Sequence, residues 1–143
     1  DANQAVADYV PGNMRSQKIE KGSNTIILDA YNANPSSMQA AIENLATMHA
    51  IKKVAMVGDM FELEDEAEAE HRQLGKLLKS KKLDAVYLCG KLCLFAKEEF
   101  PEARYFETKD LLIDDLKKFP IQNATILIKA SRGIGLEKIL EFI

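Results

Sequence analysis

Four apolar runs set the rhythm of the chain: Thr25-Ile26-Ile27-Leu28, Val54-Ala55-Met56-Val57, Ala85-Val86-Tyr87-Leu88 and Thr125-Ile126-Leu127-Ile128. None of them alternates apolar with polar positions. A strand covered on one face alternates, whereas a strand covered on both reads as a continuous run, and that is the habit of parallel sheets. A weaker strand, Arg104-Tyr105-Phe106, follows Pro101. Between the runs the apolar positions change to helical spacing. Met38, Ala41, Ile42, Leu45 and Ala46 keep it, as do Leu74, Leu77 and Leu78. So do Leu112, Leu116 and Phe119, and finally Leu136, Ile139 and Leu140. The first three strands start about 30 residues apart, the length of a βαβ unit. The pattern predicts an α/β fold, Rossmann-like, with a doubly wound and mostly parallel sheet.

The first 24 residues break this rhythm. Ala2 to Val10 could end a helix that Pro11-Gly12 stops. Gln17-Lys18-Ile19-Glu20, followed by Lys21-Gly22-Ser23-Asn24, reads as a short N-terminal strand and turn leading into Thr25. Residues 1–14 are expected to be the end of a preceding domain or an interdomain linker, with the domain proper covering 15–143. The chain opens on Asp1 rather than Met, which fits a piece of something longer. The acidic stretch from Glu62 to Glu70 is expected to start a helix, where carboxylates suit the positive end of the dipole.

Composition narrows the partners. The net charge is -3, with no basic block, which argues against nucleic acid. No apolar run reaches the roughly 18 residues needed to span a bilayer, and no signal pattern opens the chain. Neither nucleic acid nor membrane is therefore an expected partner, and the expected location is the cytoplasm. Cys89 and Cys93 flank Gly90 at a strand-to-helix turn. With no further cysteine or nearby histidine they read as buried small hydrophobes in a reducing compartment, and no metal site is expected.

The candidate chemistry sits where strands end. In open α/β sheets ligands gather at the carboxyl ends of the strands. The first run continues into Asp29-Ala-Tyr31-Asn32-Ala-Asn34-Pro35, the second into Gly58-Asp59-Met-Phe-Glu62-Leu63, and the fourth into Lys129-Ala130-Ser131-Arg132-Gly133. Each segment also has a plain structural reading. Asp29, Asn32 and Asp59 can organise turns, and Asn34-Pro35 is a standard helix entry. His71 falls on an apolar stripe with Ala67, Leu74 and Leu78, as a core-edge histidine would, and His49 suits a helix end. The loop Ser131-Arg-Gly-Ile-Gly135 is a weak phosphate-loop candidate, and no GxxxxGK[ST] or GxGxxG is present. Spacing alone reaches a polar sheet edge suited to anions or nucleotides.

Taken in order, these segments resemble a known family. Asp29-Ala-Tyr-Asn-Ala-Asn-Pro35 is similar to the D-x-Y-N-A-N-P motif of the Mur ligases that act as UDP-N-acetylmuramoyl-tripeptide–D-alanyl-D-alanine ligases. Gly58-Asp-Met-Phe-Glu-Leu63 resembles their G-D-M-x-E-L loop, and His71-Arg-Gln-Leu-Gly75 their H-x-x-x-G. Lys129-Ala-Ser-Arg132 and Leu136-Glu-Lys138 resemble the closing K-G-S-R…L-E-K, and Arg15 matches an arginine at the start of the family's last domain. Two departures stand out: Ala130 and Glu64 occupy positions where the family usually has glycine.

The resemblance implies the C-terminal domain of a three-domain, ATP-dependent peptidoglycan ligase. In that family ATP activates the tripeptide carboxylate as an acyl phosphate, and the amine of D-alanyl-D-alanine attacks it. The N-terminal domain recognises the uridine nucleotide. The central domain carries the phosphate loop and most ligands of Mg2+. These absent domains, ATP, D-alanyl-D-alanine and UDP-N-acetylmuramoyl-tripeptide are the implied partners, and the fragment alone is expected to be inactive. Residue by residue, the resemblance implies Arg15 at the γ-phosphate as the catalytic cation. It places Asp29, Tyr31, Asn32 and Asn34 along the ribose and adenine. Asp59, Lys129, Ser131 and Arg132 fall toward the dipeptide, with Glu62 and His71 in support. Two other classes fit the same scaffold. A phospho-acceptor receiver domain normally has an acidic pair after its first strand and a proline after its lysine, but here Asp29 is single and Ala130 follows Lys129. A non-catalytic interaction domain on the same scaffold would show no ligand binding.

Overall fold

The computed structural model describes residues 17–29, 33–131 and 134–143. The expected linker, residues 1–14, lies outside them, as do Arg15, Tyr31, Asn32 and Arg132.

The strands are β1 (Gln17–Lys21), β2 (Asn24–Asp29), β3 (Lys53–Gly58), β4 (Ala85–Cys89), β5 (Arg104–Phe106) and β6 (Thr125–Lys129). The helices are α1 (Pro35–Thr47), α2 (Ala67–Ser80), α3 (Cys93–Glu99) and α4 (Lys109–Lys118). The strands form one sheet of order β1-β2-β6-β3-β4-β5. All neighbours are parallel except β1, which forms an antiparallel hairpin with β2. This is the doubly wound α/β class that the apolar runs predict.

Successive residues of a strand point to opposite faces, so each continuous run feeds two cores. Ala55, Val57, Val86, Leu88 and Leu127 pack with Met38, Ile42 and Leu45 of α1, Leu74 and Leu78 of α2, and Cys93 and Ala96 of α3. Ile26, Val54, Met56, Tyr87, Ile126 and Ile128 pack on the other face with Leu112 and Leu116 of α4 and with Leu136 and Ile139. The distribution of helices follows from connection handedness. Steps from β2 to β3, β4 and β5 move one way across the sheet and put α1 to α3 on one face. The return from β5 to β6 reverses direction, so a connection of the same hand puts α4 on the other.

β6 enters between β2 and β3 although it comes last in the chain. At its amino end a buried side chain secures the fit: Asn24 Nδ2 donates to the Ile121 carbonyl at 2.8 Å, and Asn24 Oδ1 accepts from Ala124 N at 3.0 Å.

Two helical expectations change in detail. The Leu136, Ile139, Leu140 pattern forms a 3-10 turn over Leu136–Phe142, not an α-helix. With three residues per turn, positions i, i+3 and i+6 eclipse. That places Leu136, Ile139 and Phe142 along one line against the second core. Phe119 is not on the buried stripe of α4. The helix stops at Lys118, before Pro120, and Phe119 is left exposed under the Arg104 guanidinium.

Candidate functional site

The chain leaving β2 and β3 turns toward the face carrying α1 and α2, while the chain after β6 joins the opposite face. Where neighbouring strands send their connections to opposite faces, a crevice opens at their carboxyl ends. Asp29, the last residue of β2, is in register with Lys129, the last residue of β6, and Val57 of β3 flanks Lys129 on the other side. Lys129 Nζ lies 2.9 Å from Asp29 Oδ2. The lysine side chain is only 1% exposed and that of the aspartate 13%, so the pair straddles the boundary between core and crevice. An ammonium taken this far from water needs a carboxylate beside it.

Beyond β3, the loop from Asp59 to Leu63 is fixed from three sides. Both oxygens of the buried Asp59 carboxylate are committed to backbone at the start of α3: Oδ1 accepts from Cys93 N at 2.9 Å and Oδ2 from Leu92 N at 3.2 Å. Gly90 makes this possible. Its φ is +123°, and a Cβ there would overlap the Asp59 carboxylate. From β6, Ser131 N donates to the Asp59 carbonyl at 3.1 Å, and Ser131 Oγ accepts from Phe61 N at 2.8 Å. From α2, His71 Nε2 accepts from Met60 N at 3.0 Å while Nδ1 lies 2.7 Å from the Ala67 carbonyl. These partners assign the proton to Nδ1. The histidine is fully buried, as the core reading of its apolar stripe expects. Four residues on, Gly75 lets α3 approach: a Cβ at Gly75 would overlap the Ala96 backbone. Among the described residues, the H-x-x-x-G segment is therefore a packing device behind the loop.

Two non-glycine residues of the following segment are left-handed, Glu62 at φ 67° and Glu64 at φ 53°. Glu64 is the position where the resembled family has glycine, the residue that takes this conformation without steric cost. Ala130, the other departure, is fully buried in the second core. Asn34 caps α1: its side chain accepts from Ser37 N at 2.8 Å, Ser37 Oγ accepts from Asn34 N at 3.1 Å, and Pro35 holds the first turn.

The structure thus brings Asp29 and Lys129 into contact, and links Asp59, Ser131 and His71 through the loop that carries Glu62. Asn34 stands apart at the head of α1. Reading the sequence missed Gly90 and Cys93 as supports of Asp59; a glycine directly after strand β4 was the available signal. Among the described residues, no three His, Cys, Asp or Glu side chains converge as metal ligands would. With Lys129 against Asp29, this edge does not fit a magnesium site.

Burial pushes the Cys89 thiol from 9.0 up to about 12, with the nearby Asp59 charge adding to the effect. Cys93 is held well above its ordinary value by the same two causes, burial first. A thiol whose pKa rises on folding stabilises the protein fully below its unfolded value, and that stability is lost as pH climbs toward the folded value. Stability should therefore fall from about pH 9 upward, with Cys89 contributing about 1.4 kcal/mol per pH unit. Urea denaturation at pH 8 to 11 measures this. Cys89→Ala should flatten the slope by that amount, and an unchanged slope would contradict the assignment.

Comparison with known proteins agrees with this fold. The family described as Mur ligase, glutamate ligase domain, matches residues 14–132. The UDP-N-acetylmuramoyl-tripeptide–D-alanyl-D-alanine ligase of Bacillus subtilis is 38% identical over 150 residues, covering 99% of this chain and 33% of that protein. The protein of the same name from Escherichia coli is 37% identical, covering 92% and 29%. Among solved structures, MurF from Acinetobacter baumannii superposes with a TM-score of 0.77 at 33% identity over 89% of this chain and 29% of that one. MurF ligase from Thermotoga maritima in complex with ADP gives 0.76 at 31% identity, covering 93% and 30%. The chain spans about a third of the length of these relatives.

Proposed function

Because the chain belongs to the Mur ligase family, we propose that it is the C-terminal domain of a cytoplasmic, ATP-dependent ligase of peptidoglycan synthesis. The ligase joins D-alanyl-D-alanine to UDP-N-acetylmuramoyl-tripeptide, and this domain spans 15–143 after a linker. The observation that carries the reading is the buried Lys129–Asp29 pair at the mouth of the crevice, beside a loop fixed by Asp59, Ser131 and His71. The Thermotoga maritima relative was solved with ADP, which supports nucleotide use by the full-length ligase.

In the proposed reaction a tripeptide carboxylate oxygen attacks the γ-phosphorus, ADP leaves, and an acyl phosphate forms. The dipeptide amine then attacks the acyl carbon, phosphate leaves, and the proton lost from the nitrogen passes to solvent. Asp29 accepts hydrogen bonds from the ribose hydroxyls, as carboxylates do in other α/β nucleotide sites. Tyr31, Asn32 and Asn34 border the ribose and adenine, with the Asn34 oxygen also holding the α1 cap. Arg15 meets the γ-phosphate, where a guanidinium fork suits the transferring charge. Lys129, Ser131 and Arg132 lie toward the dipeptide, with Lys129 acting from its buried pair with Asp29. Asp59 and His71 contribute by fixing the loop that presents Glu62. Mg2+, which neutralises phosphate charge when bound, is assigned to the rest of the protein along with the phosphate cradle.

The test is phosphate release by the full-length protein with tripeptide nucleotide, ATP and dipeptide. Release should require all three. The isolated domain should fold, show no turnover, and bind ATP weakly or undetectably by calorimetry, since the phosphate cradle supplies most of the charge neutralisation. Turnover by the domain alone would refute the division of labour.

A further inference from the structure

Given the ligase reading above, we infer that Phe61 is a specificity-determining residue for the incoming amino compound. Its ring forms the apolar wall against which that substrate's methyl groups rest.

Phe61 is 40% exposed, while Asp59 and Met60 before it are buried. That exposure does not come from a slack loop. The Met60 N–H is bound by His71, the Phe61 N–H by Ser131 Oγ, and the Asp59 carbonyl by Ser131 N. Glu62 and Glu64 then follow in the left-handed region, which side chains of this size rarely adopt. The loop is held from β6 and α2, and its strained shape directs an aromatic ring outward at the ligand-binding edge of the sheet. Strained, over-determined backbone of this kind collects at ligand sites. The other exposed apolar side chains differ in setting: Leu94 and Leu111 also lie at the carboxyl edge, but in the first turns of α3 and α4, after β4 and β5, not on the loop after β3. Ile51 precedes β3 and Phe119 ends α4, so both lie at the amino edge, away from the crevice.

Charge decides which ligand the ring faces. The exposed acids Glu62, Glu64, Asp65 and Glu66 follow Phe61 directly in the chain. Such a neighbourhood repels a polyphosphate and attracts an ammonium. The nucleotide therefore lies on the β2 side, with Asp29, and an amine-bearing substrate lies on the β3 side. For a substrate whose side chains are methyl groups, an ammonium-attracting rim with one apolar wall is the complementary surface.

The experiment is steady-state kinetics of the full-length protein and its Phe61→Ala and Phe61→Leu variants, with D-alanyl-D-alanine and glycylglycine as alternative acceptors. Because the ring is exposed, the alanine variant should fold, which a thermal melt confirms. Phe61→Ala should raise KM for D-alanyl-D-alanine roughly tenfold, the scale of one lost methyl-sized contact. KM for ATP should be unchanged. The preference for D-alanyl-D-alanine over glycylglycine should collapse toward unity, since glycylglycine has no methyl groups to lose. Phe61→Leu should keep most of the preference. An unchanged preference in Phe61→Ala overturns the assignment. So does an equal rise in KM for all three substrates, which would place the ring against another part of the protein. Both outcomes presuppose a wild type that needs the dipeptide. Wild-type ATP consumption without any dipeptide overturns the ligase reading itself.

Discussion

Asp29→Ala should destabilise the domain by about 3–5 kcal/mol, the range for breaking a buried ion pair. Lys129→Met should cost less, about 1–3 kcal/mol on the scale of a buried polar group losing one partner. The asymmetry follows from position. The lysine side chain is 1% exposed, whereas that of the aspartate is 13% exposed. Removing the carboxylate leaves a charge at the more buried of the two positions; removing the ammonium leaves one at the less buried. Combining Asp29→Ala with Lys129→Met should therefore be less destabilising than Asp29→Ala alone, and a double-mutant cycle reads the coupling. In the full-length protein the order should reverse. Lys129→Met should lower kcat by roughly 100-fold or more, the scale of a lost charge-stabilising donor. Asp29→Ala should act mainly on KM for ATP. Urea denaturation and phosphate release measure the two effects. Single variants within about 0.5 kcal/mol of wild type, the ordinary scatter of surface changes, would show that the pair carries no structural load.

The strands were legible because a parallel sheet buries both of their faces, and four continuous apolar runs are hard to mistake. The polar segments that end those runs were legible for the same reason, since each begins where burial stops. The neighbours of each strand were not legible. Nothing local in Thr125 to Lys129 says that it lies between β2 and β3; that placement rests on Asn24 and on residues about a hundred positions away. The uses of individual side chains were legible only where the partner is close in sequence. Asn34 as a helix cap could be read from Asn34-Pro35, because its partner is Ser37. Asp59 could not be read in the same way, because its partners Leu92 and Cys93 arrive from the far side of β4. Nor could the bond from Phe61 to Ser131, which spans 70 positions. The left-handed turn at Glu64 was visible only as a departure from a family glycine.

His71 carries the second large effect. Its imidazole offers an acceptor to the Met60 N–H and a donor to the Ala67 carbonyl from inside a fully buried site. His71→Leu keeps the apolar volume but removes both groups. The Met60 N–H then has no partner and no water, which should cost about 2–3 kcal/mol, the upper part of the range for an orphaned buried donor. His71→Gln should do better despite being the more polar residue, because its amide oxygen can still accept from Met60 N. A residue that only filled space would give the opposite order, with leucine the milder change. The loop held by that bond also carries Phe61 and Glu62, so the consequence should reach the substrate. In the full-length protein His71→Leu should lower kcat/KM for the dipeptide by roughly tenfold, as misplaced positioning groups do, while KM for ATP stays near wild type. Glutamine should recover part of that loss in step with stability. Denaturation curves and dipeptide kinetics on the two variants check both halves. A leucine variant as stable and as active as wild type would leave the Met60 bond without consequence, and the loop would then be held by Ser131 and Asp59 alone.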